Sequence, residues 1–168
     1  MPMTRNVLSF LAVLTAAMTV AGGPVAARTD ARVRLSHSER TVIRLVNRVR
    51  AQHGLARVRA SRALNRAAEQ HTGDMLQSDF FDHPSSDGTP FDRRVRRYAD
   101  ARMVGETLAA LGSRRGRAAT IVRMWMESPP HRAVLLTGGF RRIGVARRWG
   151  TIGGTGYAVV TADFASRR

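Results

Sequence analysis

The sequence predicts an α+β domain in which helices cover an antiparallel sheet. Three observations carry that prediction. Through much of the chain, apolar residues recur at the 3.6-residue spacing of helices that bury one face. Residues 103–109 alternate instead as a strand does, with successive side chains on opposite faces. Two further strand-like runs, 140–146 and 157–164, flank a glycine-rich turn and read as an antiparallel hairpin. Helices first, then a strand, a helix and a hairpin, fit helices packed on a sheet rather than an alternating parallel fold.

Each element has its own signal. Ser38 is placed to cap a first helix, Glu39 suits its dipole, and Val42, Ile43, Val46 and Val49 form its apolar stripe. Gly54 stops it, with Leu55 placed to pack back on the last turn. Ser61 caps a second helix whose inner face carries Leu64, Ala67, Ala68, His71 and Met75. Phe80 to Pro84 leave that helix, and Ser85-Ser86-Asp87-Gly88 has turn chemistry. Thr89 as a cap and Pro90 as the first helical residue predict a short third helix to about Tyr98, with Phe91, Val95 and Tyr98 inward. In the strand that follows, Val104, Glu106 and Leu108 share a side. Residues 112–116 form a loop. Ala118, Ile121, Val122 and Trp125 mark a helix over 118–127, which Pro129 stops by biasing Ser128 out of the helical region. His131 then opens a short segment over 133–136 that Gly138 and Gly139 end.

The N-terminus reads as a secretion signal over residues 1–27. Arg5 is its positive start, 7–20 its apolar stretch and Val25-Ala26-Ala27 its small-residue cleavage site. The apolar stretch falls short of the roughly 20 residues a membrane span needs. Residues 28–37 read as a polar, flexible lead-in and 38–168 as one domain, long enough to bury a core without staples. The chain has no cysteine, which excludes disulfides, thiolate metal sites and a cysteine nucleophile. Its formal charge is +16, all of its basic residues are arginine, and they are scattered along the chain. Without interleaved aromatics that pattern predicts no specific nucleic-acid site; it does favour anionic surfaces, and an arginine-driven binder of anionic envelope polymers is one functional alternative. The glycines at 153, 154 and 156 make no phosphate loop, since neither a helix nor a lysine follows them.

The most informative acid is Glu106, which shares a strand side with apolar neighbours and therefore needs a partner. His83, after the second helix, and His131, after the proline break, are its candidate companions; His71 reads as a core histidine. The motifs Phe81-Asp82-His83-Pro84, Gly105-Glu106-Thr107-Leu108-Ala109, Trp125 through Arg132, Phe140-Arg141-Arg142-Ile143-Gly144-Val145 and Asp163-Phe164 occur in an order that resembles the CAP superfamily of cysteine-rich secretory, SCP-like extracellular proteins, in its disulfide-free bacterial branch. The resemblance implies a three-layer α-β-α sandwich. It also implies a cleft lined by His83, Glu106 and His131, with Ser128 or Glu127 near the position of a further family glutamate. Trp125, Gly105, Phe140 and Gly144 would be structural. Thr107 and Val134 stand where the family usually has asparagine. Two imidazoles and a carboxylate could hold zinc or another divalent metal. The functions so implied are an extracellular or envelope-associated module binding a lipid, an envelope polymer or a protein, or a metal-dependent hydrolase using the same cleft.

Overall fold

The structure is a computed structural model, described here for residues 33–112 and 117–167. The signal segment expected over 1–27 lies outside the described residues, as does most of the expected lead-in; residues 33–36 have no regular structure. The elements run α1 (His37–Gln52), β1 (Arg59–Ala60), α2 (Arg62–Gln77), α3 (Phe91–Tyr98), β2 (Val104–Leu111), α4 (Ala118–Glu127), α5 (Pro129–Leu135), β3 (Phe140–Ile152) and β4 (Thr155–Ser166). The sheet order is β1-β3-β4-β2, so β2 and the short β1 are its two edges. All pairs are antiparallel except β1 with β3, a two-residue parallel pairing that the sequence did not signal.

Strand alternation divides the core. Val160, Ala162 and Phe164 of β4 join Ile143 and Val145 of β3 against α1, α4 and α5. On the opposite face, Ala165 packs with Leu64 of α2 and Val95 of α3, and Val159 with Met75 of α2. The result is a three-layer α-β-α sandwich. Gly144 is where the second layer comes closest: a Cβ there would lie 2.1 Å from the Leu64 carbonyl carbon, so only glycine lets α2 sit on β3. The β3–β4 hairpin closes through Gly153 and Gly154, both at positive φ, the requirement of the tight turn that matches strand twist. Most of the residues read as a glycine-rich turn are therefore strand.

Several helix ends differ from the sequence expectation. The first helix is capped by Ser36, not Ser38. Glu39 accepts from the Ser36 backbone N–H at 2.7 Å while the Ser36 hydroxyl accepts from the Glu39 N–H, a closed capping box. Thr89 is not a cap: Pro90 occupies that position and no side-chain bond caps α3. Tyr98 is exposed, and the inner face of α3 carries Arg94 beside Val95. The double proline breaks the chain at Ser128 as expected, but Pro129 and Pro130 themselves begin α5, where their missing N–H groups cost nothing. His131 thus sits in the first turn of a helix.

Candidate functional site

Glu106 is at the centre of the site. It stands on β2 directly opposite Asp163 of β4, on the sheet face covered by α2 and α3. Only 4% of its surface is exposed. One carboxylate oxygen accepts a hydrogen bond from His83 Nδ1 at 2.8 Å, and the other is paired with Arg94 of α3. Arg94, 1% exposed, also donates to the His83 carbonyl at 2.9 Å and to the Ser85 hydroxyl at 3.1 Å. One guanidinium thereby holds both the carboxylate and the loop that carries His83. Burial pushes the Glu106 pKa up, but hydrogen bonding to His83 and the charge of Arg94 outweigh it, so Glu106 is ionised with its pKa below the ordinary carboxylate value.

The neighbouring groups respond to that charge. The hydrogen bond to Glu106 raises the pKa of His83, more than burial lowers it. Burial lowers His71, whose Nε2 donates to the Asp82 carbonyl at 2.9 Å; the neutral ring leaves Nδ1 as a buried acceptor with no hydrogen-bond partner. Asp163 is fully buried, and neither of its oxygens has a partner at ordinary hydrogen-bond geometry. Burial first, and then the Glu106 charge opposite, push its pKa well above the usual range, which favours the protonated acid beside the Glu106 carboxylate. Burial and then the charge of His83 lower His131.

His83 and His131 come together with ring centroids 6.3 Å apart, beside the edge strand β2. The His83 side chain is 42% exposed, and its Nδ1 is committed to Glu106, which leaves Nε2. The structure therefore gathers His83, Glu106 and His131. It does not bring Glu127 to them: that side chain is exposed and pairs with Arg123 at 3.8 Å. Ser128 forms the half-buried joint between α4 and α5. Trp125, buried, donates its indole N–H to the Leu108 carbonyl at 2.8 Å and ties α4 to β2. A Cβ on Gly105 would meet Phe140 Cζ at 2.8 Å. With both Glu106 oxygens engaged, the three residues do not fit a three-ligand metal site, and among the described residues no group of three His, Asp or Glu is placed to hold an ion. The groups that would face an ion here are the two imidazoles, with Glu106 behind His83.

Arg94 and Asp163 are the site residues that sequence reasoning missed. Arg94 had a signal: Phe91, Arg94, Val95 and Tyr98 fall at i, i+3, i+4 and i+7, so the stripe of α3 passes through a charged residue. Asp163 belonged to a recognised motif, and its pairing with Glu106 follows from the strand register alone.

Residues 43–164 match the sequence pattern described as "CAP: Cysteine-rich secretory protein family". The chain is 31% identical over 118 residues to the uncharacterized protein YkwD of Bacillus subtilis, covering 70% of this chain and 45% of that protein. It is 32% identical over 109 residues to the uncharacterized membrane protein YlbC of the same organism, covering 64% of this chain and 31% of that one. It spans less than half the length of either relative. Among solved structures, an extracellular protein containing an SCP domain from Bacillus anthracis superposes with a TM-score of 0.64 at 24% identity, over 77% of this chain and 40% of that one. An outer surface protein of Borrelia burgdorferi gives 0.68 at 17% identity, over 81% of this chain and 97% of that one. Both likenesses are of fold. The family match over 43–164 covers most of the chain and takes in His83, Glu106 and His131 together, and on it the chain belongs to the CAP cysteine-rich secretory protein family.

Proposed function

We propose that the chain is a secreted bacterial binding module, acting at or beyond the cell envelope, and that its ligand is taken at the cleft bordered by His83 and His131 over Glu106. The observation that carries this is the 2.8 Å bond from His83 to a buried, arginine-paired glutamate. Burying a carboxylate is costly, and here the cost goes into orienting a half-exposed imidazole, which a core would not require. The extracellular setting is supported by the likeness to an extracellular SCP-domain protein of Bacillus anthracis and an outer surface protein of Borrelia burgdorferi, and by the signal-like N-terminus. The ligand class is a lipid, an envelope polymer fragment or a protein segment.

A divalent cation at the two imidazoles is a second reading, favoured by one observation. A carboxylate on His83 Nδ1 fixes the tautomer and strengthens Nε2 as a ligand. A bound ion would supply Lewis acidity, which is the basis of the hydrolytic alternative. His131, kept neutral by burial and by His83, is available as ligand or as proton acceptor.

The test is calorimetric titration of the full chain with zinc, a fatty acid and soluble envelope-polymer fragments. His83→Ala and His131→Ala are compared with wild type, and Glu127→Ala serves as a surface control. An organic ligand whose affinity is lost in both histidine variants and kept in the control supports the binding module. Zinc lost in the same two variants supports the second reading. Ligand or zinc binding unaffected by either histidine would place function elsewhere on the molecule.

A further inference from the structure

Two cavities of about 680 Å³ each lie away from the histidine pair, and their charges differ. The first runs along α2. Arg66, Arg97 and Arg148 line it, but so do Glu69, Asp74 and Asp87. The second lies between α1 and the β1 edge, over Ile43 and Asn47. Four arginines line it, Arg57, Arg59, Arg141 and Arg167, and no acid does. None of the four forms an ion pair among the described residues. Four like charges around one hollow repel one another, and the repulsion is relieved by an anion.

The surroundings add to that field. Arg50 lies next to this cavity, fully buried, and donates to the carbonyls of Ala56 at 2.9 Å, Leu135 at 2.7 Å, Thr137 at 3.0 Å and Phe140 at 3.3 Å. Carbonyls satisfy its hydrogen bonds but leave its charge uncompensated. Burial, and then the charge of Arg141, lower its pKa. The backbone is shaped around the hollow as well. Arg141 is the extra residue of a β-bulge, since Phe140 pairs with Ser166 and Arg142 with Ala165, and one of its guanidinium nitrogens is anchored at the rim by the carbonyls of Gly138 and Phe140, which leave its charge uncompensated. Asn47, buried, clamps both backbone groups of Val58 at 2.8 and 3.0 Å and so holds Arg57 and Arg59 in place.

We propose that the β1-edge cavity is an anion site for a ligand bearing two or more phosphate groups. Guanidinium forks pair with phosphate oxygens two at a time, and a phosphate group carries up to two charges in a small volume. A cavity of about 680 Å³ with four guanidiniums has room and charge for more than one such group. The site is separate from the cleft: Glu106 is on β2, at the opposite edge of the sheet from β1. It does not depend on what the cleft binds.

The experiment is titration of the full chain with inorganic tripolyphosphate at low and raised salt, and in parallel with vesicles of cardiolipin, a lipid that carries two phosphates. Arg57→Ala/Arg59→Ala is compared with Arg66→Ala/Arg97→Ala, which removes the same charge from the mixed cavity. All four side chains are exposed, so both variants keep the fold, checked by thermal unfolding. The expected result is at least a tenfold loss of affinity in the first variant and less than a twofold loss in the second, with wild-type affinity falling as salt rises. Tripolyphosphate affected in this way, without vesicle binding, assigns a soluble or polymer-borne phosphate; vesicle binding lost in the first variant assigns a lipid headgroup; either supports the site. Equal losses in the two variants would mean that net charge alone binds, and no tripolyphosphate or vesicle binding at low salt would overturn the proposal outright.

Discussion

Among the described residues two guanidiniums are fully buried, and they are satisfied in opposite ways. Arg94, in the layer of α2 and α3, faces the Glu106 carboxylate and so closes a neutral pair. Arg50, in the layer of α1, α4 and α5, faces only backbone carbonyls and remains a net charge. The first arrangement shifts protonation around it: Glu106 is lowered, His83 is raised by its bond to Glu106, and the Glu106 charge adds to the burial that raises Asp163. The second fixes geometry, since carbonyls from residues 56, 135, 137 and 140 are drawn to one point and the loops before β1 and β3 are stapled to α1. A buried charge therefore does electrostatic tuning where it meets a carboxylate and mechanical bracing where it meets carbonyls.

The largest expected effect is on the first member. Arg94→Met leaves Glu106 buried without its counter-charge and should cost about 3–5 kcal/mol at neutral pH by denaturant unfolding. The wild-type Glu106 pKa is lower folded than unfolded. Its contribution is present above the unfolded value of about 4.3 and lost as pH falls through the folded one, so the deficit of Arg94→Met should shrink in acid as Glu106 protonates. A deficit unchanged down to low pH would reduce Arg94 to a packing residue. In the double variant Arg94→Met/Glu106→Leu most of the loss should return, because an apolar pair can replace a buried ion pair.

Arg50→Met should cost somewhat less, about 2–4 kcal/mol, for carbonyls left without a donor. Its loss should be flat between about pH 4 and 8, because no carboxylate titrates against it. A pH-dependent loss would break the contrast. The smallest effect is on His83, read by NMR titration of the ring. Wild-type His83 should titrate above the ordinary histidine value and His131 below it, and Glu106→Gln should bring His83 down. Because the folded His83 pKa is raised, its stabilising contribution is present below the unfolded value of about 6.5 and fades as pH rises through the folded one. With so exposed a side chain, that contribution should stay below ~1 kcal/mol. A His83 pKa indifferent to Glu106→Gln would uncouple the pair on which the cleft rests.

Much of the architecture was legible because its signals are local. The stripes of α1, α2 and α4, the cap at Ser61, the proline break at Ser128 and the paired glycines of the hairpin all depend on residues within a few positions of one another. Where two local signals competed the reading slipped. Ser36 and Ser38 both suit a cap, and the reciprocal bond with Glu39 decides for Ser36. The two-residue β1 is too short to have a period, and it exists because β3 offers an edge and Asn47 holds the chain there. At the site, the need of Glu106 for a partner was visible in its strand and His83 was a named companion, but its counter-charge Arg94 was not.

The sequence alone determined most of the helices and strands, the apolar stripes of α1, α2 and α4, and the motif order that marks the family, since helical and strand periods are properties of neighbouring residues. Only the tertiary structure decided where the charges go. Arg94 meets a carboxylate 12 residues away, Arg50 meets carbonyls 85 to 90 residues away, and the Asp163 pKa is raised by burial first and then by the Glu106 charge that a strand pairing sets opposite it. The charge state of a buried group depends on the space around it, and that space is assembled only when distant parts of the chain fold together.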